Sequence, residues 1–358
     1  MTTEQVSFDQ EKARAFVRTM ATIMNSGSLM LMTSIGHQTG LFEAMAGLAP
    51  STSAEIAAAA QLNERYVREW LAAMVTGRIV EYDPASKTYR LPPEHAASLT
   101  RAAGPANLAG PMVLMTDVAR VEQQVIRCFR EGGGVPYSEY ERFDAIMAEN
   151  SGRRFDALLI SEMLPLVEGL VQKLEEGIDV ADIGCGSGRA INIMAQAFTN
   201  SRFFGYDFGV EAIGTAEAEA TSLGAANATF IVRDVADLGE RDRFDLITAF
   251  DAIHDQARPD LVLKAIYDAL RPGGAFLCAD FYASSNLEEN LDLPGAPMTY
   301  TISTMHCMTV SLALGGMGLG TAWGEQKAVE MMKAAGFTSV ELKRLPSDRV
   351  NNYYIAQK

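Results

Sequence analysis

The chain is short of cations. Lysine and arginine together number 30 against 45 aspartates and glutamates, which leaves a formal net charge of -15 and an isoelectric point near 4.8. A field of that sign repels phosphodiester backbones and anionic lipid heads, so neither nucleic acid nor a membrane surface is an expected partner. Cysteine is scarce as well. Cys128, Cys185, Cys278 and Cys307 lie far apart, with no CxxC pairing and none of the density of a secreted disulfide scaffold, which points to a reducing, cytoplasmic setting. Long apolar runs are missing too: residues 29–32 and 308–319 are too short or too rich in glycine to span a bilayer. The opening stretch, residues 1–12, has Glu4, Asp9 and Glu11 where a secretory signal has a basic segment and an apolar run.

What is present divides into two textures, and a chain of 358 residues with 48% hydrophobic content is expected to hold two domains. From Phe8 to about Ala46, residues such as Phe16, Met20, Ile23, Leu31 and Ile35 recur at helical spacing, with breaks expected near Gly27 and Gly36. Ser51-Thr52-Ser53-Ala54-Glu55 reads as an N-cap before a short helix, and residues 63–75 place Val67, Trp70, Leu71 and Met74 on one face. Residues 79–82 and 88–91 then read as a hairpin, completing a winged-helix pattern. The candidate recognition helix has Arg65 and Arg68 interrupted by Glu64 and Glu69, so it lacks the basic face that groove reading needs. Further helices are expected over 112–129, 138–149 and 154–174, with an exposed turn at 131–134. The domain boundary is expected at 150/151.

From Ile178 short apolar runs alternate with helical segments, the pattern of a parallel sheet wrapped by helices. Strands are predicted at 179–183, 202–206, 229–233, 244–250 and 275–281, and a turn at Arg271-Pro272-Gly273-Gly274. A helix over 325–335 and an antiparallel pair, 338–344 with 350–357, close the chain. The first strand runs into Asp182-Ile183-Gly184-Cys185-Gly186-Ser187-Gly188, a glycine-rich turn opening a helix, where an α/β sheet binds a nucleotide-like ligand. The spacing is GxGxG, whereas the dinucleotide fingerprint is GxGxxG, which argues against an NAD-dependent oxidoreductase. Asp182 lies under the loop as an acceptor. Asp207, at the end of the next strand, is placed to accept ribose hydroxyls, and Asp234, at the end of the third, to accept from an adenine amino group.

These residues, with Ala269-Leu270-Arg271-Pro272-Gly273-Gly274, resemble the motifs of the class I S-adenosylmethionine-dependent methyltransferases, a likeness running from about Ile178 to the C-terminus. The resemblance implies a Rossmann-like seven-stranded sheet with a reversed last strand. It implies S-adenosyl-L-methionine as cofactor, with its methionyl part on the loop of Gly184, Cys185, Gly186 and Gly188, its ribose on Asp207, and its adenine beside Asp234 and Val235 under Phe208. Phe250, at the end of the fourth strand, belongs to the same set. The alanine-rich region 53–100 resembles the winged-helix portion of small-molecule O-methyltransferases, which implies homodimerisation through the N-terminal helices and closure of the acceptor pocket.

After the fourth strand comes Asp251-Ala252-Ile253-His254-Asp255. An imidazole there can take the proton of a hydroxyl as oxygen attacks the methyl group. Small-molecule O-methyltransferases of the plant-like type carry a His-Asp here with the histidine as base, which carries over to His254 and Asp255. Gln256 replaces their usual aromatic residue, and no acid can be identified as the partner that orients the imidazole. Asp251 and Asp280 offer an alternative as metal-binding carboxylates, opposed by the absence of the Asp-Asn pair usual in catechol-type enzymes. The long insertion at about 286–323 is expected to cover a small apolar or aromatic acceptor, with Met298, Tyr300, Met305 and His306 as candidate contacts. A cofactor-binding regulator without catalysis is the reading from another class.

Overall fold

A computed structural model describes residues 8–358, so residues 1–7, Glu4 among them, lie outside the described residues. The chain divides into two units, Met1–Thr116 and Asp117–Lys358.

In the first unit, α1 (Gln10–Gln38) starts at Asp9, whose carboxylate accepts from the N–H groups of Glu11 and Lys12. It then runs unbroken through Gly27 and Gly36, where breaks were expected. An interior glycine costs a helix ~1 kcal/mol relative to alanine, and at Gly36 packing offsets this. A Cβ there would lie 2.6 Å from the Trp70 ring, so the glycine admits Trp70 and Phe42 rather than ending the helix. The chain turns instead at Gly40, with φ 72°. α2 (Leu41–Ala46) follows. α3 (Ser53–Ala60) begins at a reciprocal Thr52–Glu55 capping box, and α4 (Glu64–Thr76) is capped by Asn63. β1 (Glu81–Asp83) and β2 (Thr88–Arg90) pair antiparallel. They are shorter than predicted because Ile79 and Val80 donate their N–H groups to the Met74 carbonyl, extending the end of α4. α5 (Pro93–Leu99) and α6 (Ala109–Val118) complete the region. Its core gathers Phe42, Ile56, Val67, Trp70, Leu71 and Met74.

The second unit opens with α7 (Glu122–Glu131), α8 (Phe143–Leu158) and α9 (Leu170–Glu176). The boundary expected at 150/151 falls inside α8, and the division lies at Thr116/Asp117 instead. The reason is packing: Phe155 and Leu158 of α8 share one buried cluster with Val180, Leu246 and Leu277 of the sheet. The single helix expected over 154–174 is interrupted between α8 and α9, where Gly169 takes φ 71°.

The sheet comprises β3 (Asp179–Ile183), β4 (Arg202–Asp207), β5 (Ala228–Val232), β6 (Phe244–Phe250), β7 (Leu270–Phe281), β8 (Ser339–Leu345) and β9 (Asp348–Gln357). Their order is β5-β4-β3-β6-β7-β9-β8, and β9 runs antiparallel to both neighbours. Helices α10 (Arg189–Ala197), α11 (Val210–Leu223) and α12 (Pro259–Ala269) connect the parallel strands. The turn expected at Arg271–Gly274 is instead a bulge inside β7. Gly273, at φ 80°, donates its N–H to the carbonyl of Lys358, and the register to β6 shifts between Phe244 and Leu246. The insertion before α15 (Gly324–Ala335) forms α13 (Ala296–Ile302), a wide helical turn at Ser303–Cys307, and α14 (Met308–Ala313). Its loop is tied down: Gly320 donates to the His254 carbonyl, Met317 to that of Ala257, and Ser311 Oγ to that of Gln256.

Candidate active site

Strand order reverses between β3 and β6, and the glycine loop leaves the carboxyl end of β3 at that switch point, where doubly wound sheets bind ligands. Gly184, Gly186 and Gly188 all have positive φ, but they serve different ends. A Cβ on Gly184 would meet Ala252 at 2.6 Å and one on Gly188 would meet Phe230 at 2.5 Å, whereas Gly186 has no atom within 4 Å of that position. The outer glycines let the loop pack down, and the middle one leaves its outer side open.

Asp207 braces this loop. Its Oδ2 accepts from the Gly186 N–H at 2.9 Å and its Oδ1 from that of Gly209 at 2.8 Å, while burial raises its pKa. Asp182, under the loop, accepts from Thr248 Oγ1 at 2.7 Å. Burial lifts its carboxyl to about 7, against the lowering effect of that bond. Asp234 caps a short turn by accepting from the Ala236 N–H. Phe208 is 56% exposed, whereas Val235 and Phe250 are buried, Phe250 packing against Phe155 at 5.0 Å. Cys185 contributes its backbone, donating to the Tyr206 carbonyl, and burial pushes its thiol up. An open glycine, acids at successive strand ends and an exposed aromatic ring suit a nucleoside that carries a flexible amino-acid arm.

His254 is buried, and its Nδ1 lies 2.8 Å from Asp280 Oδ1 on β7. The acid that sequence could not identify is therefore Asp280, on the strand paired with β6. Burial works against a charge on the imidazole, but Asp280 and then Cys307, whose thiol is in hydrogen-bonding reach, raise its pKa well above the ordinary histidine value. Asp255 is drawn into the same buried group, and burial lifts it to about 6 against the lowering influence of His254. Asp251 takes φ 55°, and its Oδ2 accepts from Arg154 Nη2 at 2.6 Å. Both carboxylates of the metal alternative thus have protein partners, and among the described residues no group of three His, Cys, Asp or Glu side chains is placed to hold an ion.

Of the four acceptor candidates, His306 is fully buried. It stacks on Phe143 at 3.6 Å and meets Tyr140 edge-on at 4.6 Å and Tyr137 at 5.5 Å. Neither ring nitrogen has a hydrogen-bond partner, and burial, with His254 nearby, takes its pKa down to about 3. Tyr137 also packs edge-on against Phe208, linking this aromatic group to the loop crevice. Met305 offers its carbonyl to the Tyr140 hydroxyl, and Tyr300 accepts from Asn290; Met298 and Tyr300 are each 36% exposed. Sequence reasoning missed Tyr137, Tyr140, Phe143 and Arg154. The three aromatics recur every third residue just after a glycine run, a signal that was available.

Two stretches of the chain match known families. Residues 174–336 match the family model of a methyltransferase domain, and residues 27–101 that of an Rv2258c-like winged HTH domain. An arsenite methyltransferase of Aquipseudomonas alcaligenes is 33% identical over 149 residues, covering 37% of this chain and 43% of that protein. A fatty-acid O-methyltransferase of Mycolicibacterium smegmatis is 30% identical over 106 residues, covering 29% and 38%. The chain thus spans less than half the length of these curated relatives. Human N-acetylserotonin methyltransferase, solved in complex with S-adenosylmethionine, superposes with a TM-score of 0.70 at 16% identity over 99% of both chains, a likeness of fold. The C-terminal half is a class I S-adenosylmethionine-dependent methyltransferase domain. It follows an N-terminal winged helix-turn-helix domain.

Proposed function

We propose that this protein transfers a methyl group from S-adenosyl-L-methionine to a hydroxyl of a small, largely apolar or aromatic acceptor, with His254 as general base. The observation that carries this reading is the buried His254–Asp280 pair at the end of the switch-point crevice. The cofactor, when bound, supplies an electrophilic methyl group on a sulfonium. The backbone of Gly184, Cys185, Gly186 and Gly188 takes the methionyl arm above Asp182, and Asp207 takes the ribose. Asp234 and Val235 flank the adenine, with Phe208 across its face and Phe250 backing the site from the core. His254 accepts the acceptor's proton on Nε2 while Nδ1 faces Asp280, and Asp255 adds a second negative charge that favours the imidazolium so formed. His306, neutral and with both nitrogens unpartnered, offers the acceptor a polar contact among aromatic rings. Met298, Tyr300 and Met305 border that contact.

Burial excludes water from the base, and general-base catalysis of this kind contributes ~10²–10⁴-fold. Labelled cofactor incubated with fractionated metabolites of the source cell identifies the acceptor, and His254→Gln is then compared in single turnover. A fall within that range is expected, whereas a retained rate removes the base role. Because the pKa of His254 is raised, the rate is expected to climb with pH to values above the ordinary histidine range. Binding of the cofactor with no methyl transferred to any fraction would instead favour a non-catalytic regulator. Nucleic acid is not an expected partner, since Arg65 and Arg68 of α4 are paired with Glu69 and Glu64.

A further inference from the structure

Beside the His254–Asp280 pair lies a second buried ion pair. Arg154 reaches from α8 to Asp251, and its Nη1 lies 3.9 Å from Asp348 Oδ2 on β9. Asp348 is itself held by Asn351 Nδ2 at 2.9 Å and the Tyr353 hydroxyl at 2.6 Å. Asp251 and Asp280 are neighbours, because the Asp251 N–H donates to the carbonyl of Ala279, one residue before Asp280. Asp251 is also among the few described non-glycine residues with positive φ, a sparsely populated conformation that persists where the surroundings impose it. A buried ion pair adds little stability over well-packed apolar side chains, so stability alone does not account for a strained aspartate and a buried arginine here.

We propose that the Arg154–Asp251 ion pair keeps an unbalanced charge away from His254: paired, the two largely cancel at the imidazole, so that Asp280, with Asp255 and Cys307, sets the strength of the base. Arg154 and Asp251 are positioning residues on this view, and the inference rests on the reading of His254 as base. The charged and titratable groups around the ring are Asp280 from β7, Asp251 at the end of β6, Asp255 on the same loop, and Cys307 and His306 from the insertion. Arg154 acts from α8 through Asp251. Arginine stays charged at every relevant pH, which fixes the direction of one variant. Asp251→Asn leaves Arg154 with only the longer contact to Asp348 at 3.9 Å, and the positive charge that is then less fully offset disfavours imidazolium.

The experiment follows the titration of His254 directly, by NMR of protein labelled with ¹³C-histidine. The chain has only four histidines, and His254→Gln assigns the signal. Asp251→Asn is expected to lower the His254 midpoint by about one pH unit or more, the scale of a nearby charge. The double variant Arg154→Gln with Asp251→Asn removes both charges and is expected to return the midpoint to the wild-type value. If a lone buried arginine prevents Asp251→Asn from folding, Asp348→Asn removes the other carboxylate near Arg154 and is expected to shift the midpoint the same way. A His254 midpoint unmoved in the folded single variant, or a double variant shifted as far as Asp251→Asn, overturns the proposal. A midpoint that moves while the pH limb of methyl transfer stays fixed keeps the ion-pair assignment and removes His254 as base.

Discussion

Asp182 shows how a residue at the candidate site can be costly to the fold. It sits under the glycine loop with one hydroxyl partner, Thr248, and no cation, and its carboxyl is lifted to about 7 from an ordinary value of 3.8. Between those values the unfolded chain has released the proton that the folded chain keeps, so stability falls as pH rises through this window. The full penalty, up to about 4 kcal/mol, is present above pH 7. Asp182→Asn keeps an acceptor for Thr248 and removes the charge. The variant is expected to melt higher than the parent at pH 8, to lose most of that advantage at pH 5, and to bind cofactor more weakly. Equal melting temperatures at both pH values would show that Asp182 is ionised at no cost. Asp182, Asp207 and Asp234 were legible in sequence because each stands at a fixed offset from a strand end. Asp280 was legible as an acid but not as the partner of His254, since that pairing depends on the lateral register of β6 on β7. Arg154 gave no local signal, being 97 positions from Asp251.

At the scale of elements, periodicity located the strands of the sheet to within a few residues, because buried parallel strands are short apolar runs bounded by turns. It failed where glycine has two meanings. Gly273 was read as a turn and lies in a bulge of β7, and Gly36 was read as a break and lies inside α1. The second case is directly testable. Alanine has the better helix propensity by about 1 kcal/mol, so an exposed glycine replaced by alanine stabilises a helix. At Gly36, however, the new methyl would stand 2.6 Å from the Trp70 ring and 2.8 Å from that of Phe42, both of them core. Trp70 is further anchored by its Nε1 donating to the Met32 carbonyl at 2.7 Å, so it cannot swing aside freely. Gly36→Ala is therefore expected to destabilise the first unit by about 1–3 kcal/mol, measured by urea denaturation, whereas Gly27→Ala, which meets nothing within 4 Å, is expected to stabilise it slightly. Equal behaviour of the two variants would mean that Gly36 is not packed as described.

At the scale of the whole molecule, one surface sets the expectation. Helix α1 exposes Phe16, Val17, Met20, Ile23, Met24, Leu31 and Ile35, each at least 40% accessible. At 100° per residue these seven fall within roughly a third of the helix circumference, so they form one stripe and not scattered exposure. Contiguous apolar surface of this kind marks an interaction site, and no helix of the described residues is long and apolar enough to cross a membrane. The acidic chain also disfavours a polyanionic partner, which leaves a second copy as the occupant we propose: two α1 stripes packed against each other in a homodimer. Sedimentation equilibrium at micromolar concentration is expected to give about twice the chain mass of 38.7 kDa. Met24→Glu, at a position 71% exposed in the single chain, would bury an unpaired charge in that interface and is expected to yield a monomer that still binds S-adenosylmethionine. A wild-type monomer would exclude the dimer, and a Met24→Glu dimer would move the interface off α1.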